Sequence, residues 1–458
     1  MGVDTACNVP VSGLAGIAWP AIPGQSAAQM LSLLYQLEHS QWLSPDELWQ
    51  QQLSQLTLLL QHAVSTVPHY KKIFADTEVN TDSIHSLEQW QSLPVLSRAD
   101  VQAAGEQMYS TATPREHGKE YLVQTSGSTG MPIKVKGTEL TKLFWQVLNL
   151  RDHVWQQRDF SGTLLALRAE RPEKPGDIIR AKGWGAGVDN IYQTGPGIGM
   201  STRTDVAIQA QLIRDEEPDY LLSLPSNLKA LALHFREKGW KLDKLKQVRC
   251  YGESVSEELR SLCDEVFAVP LCDVYSSQEV GQIAQPCHEH GNYHIQSENL
   301  LVEVLDEQGR QCQPGEVGRV VITTLHNFAT PLIRYCIGDY AEVGEPCACG
   351  RGLPVLKRIM GRQRNMIVLP DGRQHWPSFP SSEWMDIAPL KQMQLVQETK
   401  ETVLARLVSD RNLNETEEAE LVSYLQGRFQ YPFNISLEYC EDIPRSKAGK
   451  FEDFVSKL

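Results

Sequence analysis

Between residues 163 and 277, short apolar runs alternate with stretches of helical periodicity. This alternation constrains the fold more than any other feature of the chain. "TLLALR" (163–168), "YLLSLP" (220–225), "QVRCYGES" (247–254) and "LCDVYSS" (271–277) read as strands. "NLKALALHFREKG" (227–239) reads as a helix closed by Gly239, and "SVSEELRSLCDEVF" (254–267) as another, with Ser254 and Glu257 placed as a capping box. Such alternation is the pattern of βαβ units and a parallel sheet. Ligands on a sheet of this kind bind at the carboxyl ends of its strands, and several polar signatures directly follow the predicted strands.

The flanks read differently. From Ser44 the spacing of Leu48, Trp49, Leu53, Leu56, Leu60 and Ala63 predicts a helix, with Ser44 as N-cap, Pro45 first, Glu47 completing a capping box and Pro68 as the stop. Residues 299–325 turn to strand-and-turn patterning, "LLVEVLDEQGR" then "EVGRVVITTL", which predicts an antiparallel β subdomain. After Arg362, "MQLVQETKETVLARLV", a helix at 415–428 and "NISLEY" predict a small α+β domain of about a hundred residues. The expected architecture is therefore α/β. A large N-terminal domain (1–361, with a helical leader region at 1–65) combines parallel-rich sheets, helices and the antiparallel subdomain, and a small C-terminal domain follows at 362–458.

A chain of 458 residues is too long for a single core, which agrees with that division. Its net charge of −14 disfavours a general nucleic-acid binder, which needs a basic surface, but leaves room for anionic small molecules in a local positive pocket. No apolar run reaches the ~18–20 residues of a membrane span. The leader "NVPVSGLAGIAWPAIPG" has interior prolines and no preceding cation, so it does not read as a signal peptide. Ten cysteines without an export signal fit a reducing cytoplasm, most of them as buried thiols.

"QTSGSTGMPIKVKG" (124–137) cannot pack a core. Its glycines, Gly127 and Gly130, let backbone N–H groups approach an anion, Ser126, Ser128 and Thr129 add hydroxyl donors, and Lys134 adds charge. This is phosphate-cradle chemistry without the P-loop spacing, and as composition alone a plain surface loop reads equally well. Further along come "YSSQE" with Tyr275 and Glu279, "RYCIGDY" with Asp339, "MGRQR" with Arg362 and "PRSKAGK" with Lys450. Singly, Asp339 reads as a turn residue, Glu279 as a surface carboxylate and Lys450 as a solvated lysine.

In this order the set resembles the adenylate-forming superfamily of acyl-CoA synthetases, peptide-synthetase adenylation domains and luciferases. The closer likeness is to the phenylacetate–CoA ligase family and its capsule-biosynthesis-like relatives. "VPHYKKIF", "SLPVLSRADV", "TSGSTGMPIK", "YLLSLPS", "TTLHNFATPLIRY" and "AGKFEDF" carry it over roughly residues 60 to 458. The resemblance implies that a carboxylic acid attacks the α-phosphate of ATP, giving an acyl-adenylate and pyrophosphate, before transfer to CoA. It implies that Ser126–Gly130 hold the β- and γ-phosphates, with Thr129 catalytic, and that Glu279 carries Mg²⁺. Gly252, Glu253 and Ser254 would line the adenine pocket with Tyr275 at its border. Asp339 would take the ribose hydroxyls, Arg362 would contact the ribose, and Lys450 would arrive from a mobile C-terminal domain to meet the α-phosphate and the carboxylate.

The sequence departs from its relatives at the hinge. The position after the boundary Gly-Arg is usually acidic, but "GRQRNM" has Arg364 followed by Asn365, and "IVLPDGRQHWP" replaces the usual glycine-rich stretch. Asp371–Gly372 still offers room for a pantetheine arm. Otherwise the acceptor is an amine, a carrier protein or another small nucleophile. The cluster of Lys357, Arg358, Arg362, Arg364 and Arg373 suits CoA phosphates or simply a solvated hinge.

Cys287, His294, Cys347 and Cys349, chosen from "CHEHGNYH" and "CACG", suit tetrahedral structural Zn²⁺, as some family members carry; the alternative is buried thiols beside a histidine. Trp184, Gly185, Tyr192, Tyr251 and Ser254 are candidate walls for an aromatic acid, with Asp189, Asn190 or Ser254 reading a polar substituent, although aromatic residues more often serve ordinary packing. A catalytically silent, zinc-bearing interaction protein is the reading from another class.

Overall fold

In the computed structural model, which describes residues 10–75, 84, 86–125, 132–169, 172–445 and 449–458, the chain divides into two compact units. One runs up to Val255 and resumes at Leu259–Ile359; the other comprises Ser256–Glu258 and Met360–Leu458.

The first unit opens with α1 (Gln25–Ser40) and α2 (Pro45–Thr66). The capping box expected at Ser44 is formed. The Ser44 hydroxyl accepts from the Glu47 N–H at 3.4 Å, and the Glu47 carboxylate accepts from the Ser44 N–H at 2.8 Å. Leu48, Leu56, Leu60 and Ala63 are buried along one face of α2. The leader before α1 is docked rather than loose: Pro10 bridges Tyr192, and the Val11 N–H donates to the Ile191 carbonyl at 2.6 Å. α3 (Arg98–Ala104) precedes a separate hairpin of β1 (Glu120–Gln124) and β2 (Lys134–Thr138), which leads into α4 (Glu139–Trp155).

Twelve strands then form one sheet. β3 (Leu164–Arg168), β4 (Ile178–Ala181), β5 (Gly197–Ser201), β6 (Tyr220–Ser223), β7 (Gln247–Tyr251) and β8 (Leu271–Ser277) build its first part. All of these pair in parallel except β4, which is antiparallel at the edge. All four residues of β6 are buried, as a parallel strand covered by helices requires. α5 (Val206–Glu216), α6 (Pro225–Lys238) and α7 (Glu257–Phe267) contribute Ile213, Leu231, Phe235 and Leu262 to the core with Leu165, Leu221 and Val248.

The second part of the sheet is antiparallel: β9 (Gly281–Pro286), β10 (Tyr293–Ile295), β11 (Leu300–Leu305), β12 (Val317–Thr324), β13 (Tyr335–Val343) and β14 (Val355–Arg362). The antiparallel patterning predicted over 299–325 is β11 and β12, and they continue the same sheet as the parallel strands. β8 is the reason, since it pairs in parallel with β7 through Val274 and antiparallel with β9 from Tyr275 onward.

Two predicted boundaries shift around β7. The strand stops at Tyr251 because Gly252 takes a φ of 80°, and α7 begins at Glu257, so Ser254 lies outside its first turn. The Glu253 carboxylate instead accepts from the N–H and hydroxyl of Ser226, at 2.8 and 3.1 Å.

In the second unit, β15 (Ile367–Val368) and β16 (Gln374–His375) form a small hairpin before α8 (Ser381–Ile387). β17 (Leu390–Gln397), β18 (Thr402–Ser409), α9 (Glu415–Phe429), β19 (Asn434–Tyr439) and β20 (Phe454–Ser456) follow. Its sheet runs β19-β18-β17-β20, packed on Leu421, Leu425, Phe429 and Phe433.

Arg334 ties the antiparallel strands to the segment ahead of α3. Its guanidinium grips the Glu303 carboxylate with both oxygens, at 3.0 and 3.1 Å, and donates to the carbonyls of Gln91 and Leu93. Both side chains are almost fully buried. Arg334→Met should therefore cost about 3–5 kcal/mol by stranding the Glu303 charge, and adding Glu303→Leu should recover much of the loss. Urea unfolding followed by tryptophan fluorescence checks both.

Candidate functional site

β8 ends beneath the hairpin of β1 and β2, and the candidate residues of the first unit gather there. The Tyr275 hydroxyl donates to Asp339 Oδ2 at 2.8 Å, and both residues are buried. Asp339 follows Gly338, whose φ of 87° only glycine adopts easily, so the turn within β13 sets the carboxylate against β8. Glu279, just past β8, is also buried. It faces the Tyr335 phenol, whose pKa is pushed up first by burial and then by the Glu279 charge.

The hairpin is pinned at its loop end. The Thr125 N–H donates to the Ile133 carbonyl at 3.0 Å, the Ile133 N–H donates to the Thr125 hydroxyl at 3.0 Å, and Arg98 Nη2 donates to the same hydroxyl at 3.1 Å. Residues Ser126, Gly127, Ser128, Thr129 and Gly130, the predicted phosphate cradle, lie outside the described residues. Lys134 is exposed at the start of β2. Sequence reasoning missed Arg98. It lies in the quoted "SLPVLSRADV", but nothing local shows that this helix start reaches Thr125 and Tyr335.

At the carboxyl ends of the parallel strands, the Tyr251 hydroxyl donates to the Leu167 carbonyl at 3.2 Å, and the Arg168 guanidinium lies over its ring. Gly252 and Glu253 follow, with Ser254 exposed. Arg362 and Lys450 belong to the second unit. Arg362 accepts from Trp376 Nε1 at 3.3 Å through its carbonyl. Lys450 follows Gly449, whose φ is 77°, and residues 446–448 lie outside the described set. Arg364 pairs at 2.5 Å with Glu452, so it ties the segment that carries Lys450 to the start of its own unit.

The predicted aromatic walls have other work. Trp184 packs against Phe160 and Tyr220, at 5.5 and 5.2 Å between ring centroids, and its Nε1 donates to the Gly162 carbonyl at 2.9 Å. Tyr192 lies 5.1 Å from the Phe160 ring. Asp189 accepts from the backbone N–H groups of Trp184 and Gly185, at 3.0 and 2.9 Å. These contacts hold a loop and a core. A cavity of about 500 Å³ opens elsewhere, beside Glu279, between the hairpin, α4 and the start of β9.

Cys287, His294, Cys347 and Cys349 converge, with one potential ligand atom from each lying within 4.8 Å of the others. Cys287 Sγ and Cys347 Sγ are 3.8 Å apart, and Cys349 Sγ is 3.3 Å from His294 Nε2. Four ligands at Zn–S distances near 2.3 Å put tetrahedral sulfur neighbours about 3.8 Å apart, so the set fits the ion. Burial and then the charge of Arg351 lower the His294 pKa to about 4, leaving a neutral ring able to ligate. His288 and His290, in the same stretch of sequence, are exposed.

The comparisons with known proteins bear on this arrangement. Residues 384–457 match the family model of the CapK C-terminal domain. The chain is 27% identical over 350 residues to the phenylacetate–coenzyme A ligase of Thermus thermophilus, covering 74% of this chain and 75% of that one. It is 25% identical over 429 residues to the phenylacetate–coenzyme A ligase of Escherichia coli, covering 88% and 94%. A 2-hydroxyisobutyryl-CoA ligase in the postadenylation state, holding an acyl-AMP, superposes with a TM-score of 0.70 over 92% of each chain at 17% identity. An anthranilate–CoA ligase with anthranoyl-AMP superposes at 0.53 over 72% and 64% at 16% identity.

In sequence the chain is similar to phenylacetate–coenzyme A ligases, and its fold is that of acyl-CoA ligases solved with acyl-AMP. The residues of the Cys/His cluster come from β10 and from the segments after β9 and β13. If it holds zinc, elemental analysis of the purified protein should give about one Zn per chain, and Cys347→Ser should lower metal content and thermal stability more than it changes ATP affinity. Metal-free protein of unchanged melting temperature would exclude the ion.

Proposed function

We propose that the protein activates a carboxylic acid with ATP and passes the acyl group to CoA. The observation that carries the proposal is the buried hydrogen bond from Tyr275 to Asp339 across 64 residues of chain, with buried Glu279 just past the end of β8. An interaction protein that merely retained the fold has no need to bury two carboxylates there, since burying charge is costly unless something compensates it.

On this proposal the acid's carboxylate oxygen attacks the α-phosphorus of ATP. The new P–O bond gives acyl-AMP, and the α–β bridging oxygen leaves with pyrophosphate. The CoA thiolate then attacks the acyl carbon, forming the thioester and releasing AMP. Charge spreads over phosphoryl oxygens in the first step, so catalysis is positioning and electrostatics. Asp339 accepts the ribose hydroxyls, with Tyr275 fixing its orientation and bordering the adenine beside Gly252 and Glu253. Ser126–Gly130 and Lys134 cradle the β- and γ-phosphates on the hairpin that Arg98 pins. Glu279 would hold Mg²⁺, a hard cation that neutralises phosphate oxygens.

Arg362 would contact the ribose, and Lys450 would stabilise charge developing between carboxylate and phosphate. Arg364, through Glu452, holds the Lys450 segment in place during that step. The small unit would then turn about the residues near Arg362 to admit the thiol arm beside Gly372. Zinc in the Cys/His cluster would be structural, since all four ligand positions come from protein. The cysteines among the described residues are unpaired thiols, which suits a reducing cytoplasm.

Lys450→Ala should reduce acid-dependent pyrophosphate release by about 10²–10³ while largely sparing consumption of a supplied acyl-adenylate with CoA. Equal loss of both half-reactions would count against a lysine confined to adenylation. Wild-type protein that makes acyl-adenylate but never consumes it with CoA would redirect the transfer to an amine, a carrier protein or another small nucleophile. Arg364→Pro, which restricts φ at the turning point and also removes the partner of Glu452, should slow both adenylation and transfer, whereas Arg364→Ala should slow adenylation more than transfer from a supplied acyl-adenylate.

A further inference from the structure

The loop that carries Cys347 and Cys349 also carries Arg351 and Gly352, and both of these grip the turn between α1 and α2. The Gly352 N–H donates to the Gln41 carbonyl at 2.9 Å, and Arg351 Nε donates to Gln41 Oε1 at 2.7 Å. Gln41 is 2% exposed, so these are interior contacts. Gly352 has no room for a side chain, since a Cβ there would lie 1.7 Å from the Leu43 carbonyl oxygen. Only glycine lets the two backbones approach so closely.

The grip is joined to the ligands through Trp155, the last residue of α4. The Arg351 guanidinium lies 4.6 Å from the centre of the Trp155 ring and 5.2 Å from that of Trp42, in the turn itself. Arg151 also lies over Trp155, at 4.5 Å, and its Nη2 donates to the Leu37 carbonyl in the last turn of α1 at 2.8 Å. The His294 ring stands nearly perpendicular to Trp155, 5.8 Å away. One ligand, the ligand-bearing loop and the end of α1 therefore share a single indole. Residues 344–354 belong to no helix or strand, so ligation of Cys347 and Cys349 supplies the cross-link that such a loop lacks.

We propose that the Cys/His cluster is a clamp for the N-terminal helices. A filled site shapes the loop at 347–353 so that Arg351 and Gly352 hold the turn at 41–44. An empty site lets go of that turn while the sheet behind it stays folded. The release is local, because α1 keeps its own apolar contacts with α4, Met30, Leu34 and Leu37 clustering with Val147, Leu148 and Leu150. The inference rests on zinc occupying the cluster.

Hydrogen exchange read by mass spectrometry tests it, on peptides covering 37–44 with peptides covering β6 as the reference. Wild-type protein holding zinc should exchange slowly in both. Emptying the site, by Cys347→Ser or by stripping wild type with a chelator, should speed exchange at 37–44 about tenfold or more and leave β6 unchanged. Gly352→Ala keeps all four ligands but sets a methyl group against the Leu43 carbonyl, and it should speed the same peptides. Coupling between two events is reciprocal, so Gly352→Ala should also yield its zinc to a competing chelator about tenfold more readily.

An unchanged rate at 37–44 in the emptied protein or in Gly352→Ala would overturn the inference and leave a zinc site with another structural duty. A rise shared by β6 would overturn it too, because the ion would then hold the whole unit rather than the turn. Zinc affinity untouched by Gly352→Ala would separate the grip from the ligands. Wild-type protein without zinc would remove the zinc reading and the clamp with it, and the metal content of each sample tells that failure from the others.

Discussion

β8 has to satisfy two hydrogen-bonding patterns at once. Its first residues pair in parallel with β7 on one edge and its last ones antiparallel with β9 on the other, with a register shift in the β9 pairing between Tyr275 and Ser276. The parallel half needs crossover helices and produces strand ends that open on one edge. The antiparallel half needs only turns and can fold back on itself. The strand that joins the two halves thereby carries Tyr275, whose hydroxyl donates to Asp339 on β13 in a buried hydrogen bond of 2.8 Å.

Buried charge reinforces the same junction. Asp152 sits between Arg158 and Arg249, at 2.7 and 3.0 Å. Burial pushes its pKa up, but the two guanidiniums outweigh that and bring it down to about 2. Arg151 holds Glu298 at 3.0 Å, and Arg334 holds Glu303. Pairs of this kind contribute little net stability compared with apolar packing, yet they penalise any arrangement that separates the partners. They therefore act on register, locking α4 onto the sheet and the antiparallel strands onto the segment before α3.

Much of the large scale was legible in the residues. The βαβ alternation, the helix from Ser44, the helix closed by Gly239 and the α+β character of the last hundred residues rest on local periodicity and capping chemistry, which neighbours do not override. The four metal-type ligands were legible because Cys-x-Cys and a Cys/His pair are rare enough to stand out, and folding brings them within 4.8 Å of one another. Trp184 and Tyr192 stayed ambiguous in the sequence because an aromatic side chain looks the same in a core as in a binding wall. Only the contacts with Phe160 and the hydrogen bond to the Gly162 carbonyl separate the two roles. The capping box at Ser254 failed because Gly252 turns the chain first and Glu253 is drawn to Ser226, 27 residues earlier.

The sequence by itself determined the class of element at each stretch and the motifs that resemble those of adenylate-forming enzymes, since each of these depends on residues close together in the chain. Tertiary structure alone decided that the antiparallel strands share a sheet with the parallel ones, that Arg98 reaches Thr125, that Arg364 answers Glu452, and that Cys287 and His294 meet Cys347 and Cys349. Those four depend on which strands become neighbours and which groups face each other across tens of residues. No local propensity encodes that, because hydrogen bonds and ion pairs acquire direction only once packing has chosen the partners.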